Sequence, residues 1–246
     1  MHSVGVSLSV FVCVFGAGLL GMLLRSALPD HHLTSDSKDA VKVGMGLVGT
    51  MAALVLGLLV ASAKGNYDSQ GAAVTQLAAN VAILDRVLSH YGPETQDARE
   101  VLRHGVTGFI DGIWSKGGPS SAPGGSEILY EKVQELSPKD DRQRTLQSQA
   151  MSTVMSLAQT RWLMYEQGIT SVSMPLLVVL VLWLSLILAS FGLFAPVNGT
   201  VITSLGVCAL SVSAAIFLIL EMYSPFSGMI QISSAPLQAA LTQLGR

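Results

Sequence analysis

The chain has 246 residues, half of them hydrophobic and only 12% charged, with a mean hydropathy of +0.53. A soluble domain carries about 25% charged residues, so the composition excludes an ordinary soluble domain and indicates a membrane protein, which the span lengths and helical periodicity taken up next make all-α. A net charge of −2 supplies no basic footprint for nucleic acid, and two lone cysteines, Cys13 and Cys208, make neither a disulfide framework nor a zinc site. Both lie in apolar runs and are expected as small buried hydrophobes.

A membrane-spanning helix needs about 20 apolar residues, and four stretches meet that length. The first runs from about Val4 to Leu24 and ends at Arg25. It is longer than a signal-peptide core, has no basic residues before it and no clear cleavage site after it, and is expected as a retained span. The second runs from Val43 to Ala63, between Lys42 and Lys64. Both contain a G-x-G-x-x-G string, GAGLLG at 16–21 and GMGLVG at 44–49. That spelling cradles a dinucleotide only after a strand and at the start of a helix, with an acidic residue about 20 positions on. Neither string has that setting, so no nucleotide is expected. In a bilayer, glycine lets helix backbones approach closely, and Gly49, Ala53, Gly57 and Ala61 recur every four residues as a ridge of small side chains.

The region from Lys64 to Gly168 holds 10 of the 14 Lys and Arg residues and reads as helical. Val74, Leu77, Val81, Leu84, Leu88 and Tyr91 alternate steps of three and four, which is the apolar seam of one helix face. Gly92-Pro93-Glu94 stops that helix and starts the next, whose own stripe is Leu102, Val106, Phe109 and Ile113. Residues 116–126, KGGPSSAPGGS, have the composition of a flexible linker. A short helix follows from Glu127 to Leu136. Ser137-Pro138, with Asp140 and Asp141 behind it, is expected to open a long helix ending near Gly168.

The third span covers about Met174 to Ala195 and the fourth about Thr200 to Leu220, joined at an Asn198-Gly199 turn. In the tail, Leu237, Leu241 and Leu244 share a helix face that packs on the helical region or lies on the membrane. The expected divisions are therefore 1–63, an N-terminal transmembrane hairpin; 64–168, a helical region; 169–222, a C-terminal hairpin; and 223–246, a short tail.

Candidate site residues are few. The hydrocarbon-length cores of the spans lack ionisable side chains, which argues against a proton relay or a voltage sensor. Glu221 comes nearest, as a headgroup-level carboxylate or as part of a pore ring. Hydroxyls occur at Ser7, Ser9, Thr50, Ser185, Thr203, Ser204, Ser211 and Ser213. They either bond along the helix or line a wet passage, with Ser204 and Ser211 the pore candidates. Lys64, Asn66, Tyr67 and Asp68 stand where span two leaves the membrane. They read as a snorkelling lysine with an interfacial tyrosine, or as a pore mouth that favours anions. His31 and His32, near Asp30, Asp36 and Asp39, are the one candidate for metal binding. Adjacent histidines do not both point easily at one ion, so a solvated loop and no bound metal are expected. No nucleophile–base spacing, HExxH or G-x-S-x-G elbow is present. Neither enzymatic activity nor a cofactor is expected.

Four runs are specific enough to point to a family: LPDHHLTSDSKDAVKVGMGLVGTMAALVLGLLVASAKGNYD at 28–68, QLAANVAILDRVLSHYGPE at 76–94, FGLFAPVNGT at 191–200 and EMYSPFSGMIQISSAPL at 221–237. Together they resemble the bestrophin-like domain family of bacterial integral membrane proteins of unknown function, over nearly the whole chain. The name implies an analogy to bestrophins, pentameric anion channels with four membrane helices per subunit and a cytosolic helical region between the second and third. The resemblance thus implies a bacterial inner-membrane protein with its helical region and both termini in the cytoplasm. Two features depart from the bestrophin plan. Residues 222–246 contain no Asp or Glu where bestrophins carry an acidic calcium cluster, and span two is rich in Gly and Ala where theirs is bulky. Two functions stay open: a homo-oligomeric pore for anions, or a non-conducting scaffold that binds a partner through its cytoplasmic helices.

Overall fold

The computed structural model describes residues 2–27, 35–116, 124–169 and 173–244. Those residues contain helix and no strand. The helices are α1 (His2–Ala27), α2 (Ser35–Tyr91), α3 (Gln96–Lys116), α4 (Gly124–Gln134), α5 (Asp141–Ile169), α6 (Met174–Phe194), α7 (Gly199–Met222) and α8 (Ala235–Gln243). Four of them, α1, α2, α6 and α7, are long and apolar enough to cross a membrane. His31, His32 and most of the 116–126 linker lie outside the described residues.

The chain separates into two compact units, one of Met1–Gly65 with Ser171–Tyr223 and one of Asn66–Thr170 with Ser224–Arg246. Helix α2 contributes to both. The second span and the apolar seam, separate stretches in the sequence, are parts of one helix of 57 residues. Nothing between Lys64 and Asp68 breaks it: Gly65 is a single helix-weakening residue, costing about 1 kcal/mol relative to alanine, and a lone glycine does not end a helix of this length.

In the first unit, α1 packs against α6 and α7. The first glycine string explains the α1–α6 contact. A Cβ on Gly21 would overlap the carbonyl of Ala189, and one on Gly192 would overlap the carbonyl of Gly18. The two backbones therefore touch where side chains would hold them apart. Gly16 of the same string has open space around it, so only part of the motif does the packing. Arg25 in the last turn of α1 donates to the carbonyl of Ala195, a cation on the negative end of α6. Helix α7 lies antiparallel to α1, since Gly18 adjoins Leu205 and the Ser213 hydroxyl donates to the Ser7 carbonyl at 2.6 Å. Asn198 does not form a free turn. Its side chain accepts from the Val201 backbone N–H and caps α7. Cys13 and Cys208, expected as buried, are exposed on α1 and α7. A lipid-facing position satisfies a small apolar side chain as well as a core does, so hydropathy did not distinguish the two.

In the second unit the seam of α2 is the core. Val74, Leu77, Val81, Leu84 and Leu88 are buried together with Leu102, Val106, Ile113, Val154 and Leu157. Gly92, with φ of 138°, turns the chain in a conformation that favours glycine, and Thr95 closes the turn by donating to the Leu88 carbonyl at 2.7 Å. The long helix α5 starts at Asp141, four residues after the expected Ser137. Asp140 is its cap, accepting the Gln143 backbone N–H at 2.6 Å, where a negative charge is also favoured by the positive end of the helix. The tail joins this core: Phe226, Ile232, Leu237 and Leu244 are buried in it, and the Trp114 indole donates to the Ile232 carbonyl at 2.8 Å.

One ion pair ties α2 to α3. Arg99 forks onto Asp85 at 2.7 and 3.1 Å, with side-chain exposures of 27% and 11%. The hydrogen bonds to Asp85 hold the Arg99 guanidinium above its ordinary value. Removing one partner of a buried pair costs about 3–5 kcal/mol. This pair is partly wet, so Arg99→Ala should cost about 2 kcal/mol, visible as a lower melting temperature. Arg99→Lys should recover only part of that, because an ammonium lacks the two-pronged geometry. Equal melting of Arg99→Ala and the parent would show that the pair contributes nothing.

Candidate functional site

The functional candidates lie on α2 and α7, with Asn66, Tyr67 and Asp68 already in the second unit. One stripe of α2 is covered by the chain itself: Ala52, Leu59 and Ala63 are buried with Leu180 of α6 and Ile219 of α7. The rest of its membrane-length stretch is open. Only 11% of its most apolar window is buried, against 33, 28 and 28% for α1, α6 and α7. Val43, Leu47, Leu54 and Leu58 are exposed large apolar residues on it.

The small-residue ridge lies mostly on that open side. Gly49 comes within 4.0 Å of Ile187, measured from the place a Cβ would occupy, whereas Gly57 has nothing within 4 Å. Ala53 and Ala61 are exposed. The close backbone packing inside this chain comes instead from Gly21 and Gly192, which the four-residue repeat did not reveal. The first G-x-G-x-x-G string carried part of that signal. The Gly192 half, in a run without repetition, carried none.

At the exit of the span, Lys64 and Asp68 are exposed, while Asn66 and Tyr67 are half-buried. Lys64 and Asp68 stand one turn apart on α2, the spacing at which opposite charges are neighbours. Tyr67 packs against the core of the helical unit. Ser62 and Tyr223 share a hydrogen bond at 3.0 Å, which links α2 to the end of α7. Glu221, two residues before Tyr223, is buried at 4% exposure.

The hydroxyls mostly bond to their own helices. Ser7, Ser9, Thr50, Thr203 and Ser211 each donate to a carbonyl three or four residues back, which satisfies them without water. Ser204 and Ser211 are exposed on α7, so a passage that they line would run along the outside of a single chain. No cluster of three or more metal-ligating side chains occurs among the described residues.

A single chain thus offers four spans around tight α1–α6 and α1–α7 contacts, one long helix with an open small-residue ridge, and a helical unit grown from that same helix. The family model described as the bestrophin-like domain matches residues 12–237, which takes in the second half of the first span, the other three spans and most of the helical unit. The chain belongs to the bestrophin-like domain family. It is a membrane protein of helical construction, and the family to which it belongs is generally not enzymatic. No curated protein and no solved structure matches the chain. For this bestrophin-like chain, the residues of interest are therefore those on the uncovered side of α2.

Proposed function

We propose that this protein forms a homo-oligomeric pore that passes anions across a bacterial inner membrane, with α2 between subunits and along the pathway, and with the helical unit and both termini in the cytoplasm. The observation that carries this reading is the uncovered α2. A helix facing only lipid gains nothing from a ridge of glycine and alanine, whereas a helix facing another helix gains close contact from it. The ridge Gly49, Ala53, Gly57 and Ala61 is not consumed within the chain, and a neighbouring subunit is the partner that would use it. Lys64 would then repeat around the axis at the end of each span. A ring of cations favours anions at a pore mouth. Buried in its own subunit, Glu221 is no lining residue of such a pore, and Ser204 and Ser211 would meet water only between subunits.

The first test is the mass of the purified complex in nanodiscs, followed by chloride flux from liposomes. A ring of defined size that releases chloride is expected. Gly57→Leu should lower that flux at least several-fold by disturbing the contact between subunits, with helix content by circular dichroism unchanged, because a side chain there meets nothing within the subunit. A monomer, or a ring with no flux above empty liposomes, would overturn the pore.

The rival reading is a non-conducting scaffold that binds a partner through its helical unit. Met155, Trp162 and Leu163 on α5 are exposed at 54, 60 and 49%, and they favour docking on that helix. The α2 seam does not serve such docking, since Leu84 and Leu88 are fully buried.

A further inference from the structure

Helix α5 carries two apolar stripes, and the chain covers one of them. Ala150, Val154, Leu157 and Met164 are buried in the core of the helical unit. On the second stripe, Met151, Met155, Ala158, Trp162 and Tyr165 follow steps of four, three, four and three, the a/d period of a coiled-coil seam. Met155 and Trp162 are exposed at 54 and 60%, and the other three are half-buried. The rings of Trp162 and Tyr165 lie 5.7 Å apart, centre to centre, and close the stripe with an aromatic pair.

This part of α5 also lacks charge. From Thr145 to Tyr165 the one charged side chain is Arg161. It is turned into its own unit, where it donates to the Ser126 hydroxyl at 2.7 Å and lies 5.1 Å from the centre of the Phe109 ring. The nearest other charges are Arg144 and Glu166 beyond the two ends of the stripe and Glu127 and Glu131 of α4 along one side. Water-facing surfaces carry about 25–35% charged residues, so this stripe is not built for water. Nor does it suit a lipid surface, where amphipathic helices are rich in Lys and Arg.

A contact between identical copies sets each residue against its own equivalent, so any charge on it meets a like charge. An uncharged seam with a small residue at its middle, Ala158, meets that condition. We propose that the α5 stripe is a contact between copies of this chain, Met151, Met155 and Trp162 of one packing against the same residues of another. The proposal rests on the homo-oligomeric part of the pore reading and not on conduction. It gives to a second copy the face that the scaffold reading gives to a foreign partner.

The experiment is cross-linking of the full chain in its native membrane with a short bismaleimide, in a Cys13→Ala/Cys208→Ala background. Residue 158 lies midway along the stripe, so Ala158→Cys meets its equivalent whether the two helices run parallel or antiparallel. A dimer band from Ala158→Cys is expected, at least fivefold stronger than from Gln149→Cys, which is exposed elsewhere on α5. Adding Met155→Asp should weaken that band at least fivefold, with circular dichroism unchanged. Equal bands from the two cysteine positions, or a band unmoved by Met155→Asp, would overturn the contact. The mass in nanodiscs separates the two readings: a ring without the Ala158→Cys band overturns the α5 contact alone, and a monomer overturns both. A cross-link to a different protein in place of the dimer would also overturn the proposal, in favour of the scaffold.

Discussion

Replacing Leu84 with aspartate should abolish the folded helical unit. Leu84 is fully buried at the centre of the seam that joins α2 to the helices around it. Truncating a buried leucine costs about 2–5 kcal/mol, and leaving an unpaired carboxylate in its place adds several more. The sum reaches the total stability of a typical domain, about 5–15 kcal/mol. The variant should lose its cooperative melt and be cut rapidly by protease between residues 66 and 169. Leu84→Met, which conserves volume, should cost less than about 1.5 kcal/mol. A Leu84→Asp protein that melts like the parent would mean that the seam faces outward. The result bears on function, because it separates loss of fold from loss of a partner. A scaffold test has to be made on α5, at Met155 or Trp162, where a charge can be carried without unfolding.

Gly192→Val is expected to do comparable damage to the membrane unit. The new Cβ would overlap the carbonyl of Gly18, and it has no flexible side chain to push aside, only the α1 backbone. Overpacking a tight site costs about 1–3 kcal/mol and more when backbone has to move. A penalty of about 3 kcal/mol or above is expected here, read as lost monodispersity and a markedly lower melting temperature in mild detergent. Gly16→Ala is the matched control, since it lies in the GAGLLG string with open space around it. It should melt at or above the parent, by up to about 1 kcal/mol, the gain of alanine over glycine in a helix interior. Identical behaviour of the two variants would show that α1 and α6 do not meet at Gly18 and Gly192.

These two sites mark the limits of a linear reading. The seam of α2 was legible because a helix repeats every 3.6 residues, and Val74 to Tyr91 keep that period. What it packed against was not legible. Periodicity gives a face and leaves its partner open, so a seam that fits a neighbouring subunit also fits the chain's own α3 and α5. The same holds for the ridge at Gly49, Ala53, Gly57 and Ala61. Its spacing is plain in the sequence, yet the close contacts formed within the chain fall at Gly18, Gly21 and Gly192. Arg161 gave no signal, because one arginine in a polar helix is ordinary until Phe109 and Ser126 are brought beside it.

By itself the sequence determined the class: a hydrocarbon core demands about 20 apolar residues per crossing and internal satisfaction of every backbone group, so length and hydropathy suffice to find the four spans. It also determined most helix ends, because glycine, proline and capping side chains act on their nearest neighbours. Only the tertiary structure decided which glycines touch backbone, that Leu84 is core, that Cys13 and Cys208 face outward and that Leu237 joins a distant helix. Those outcomes depend on residues far apart in the chain meeting in space, and no local pattern encodes them.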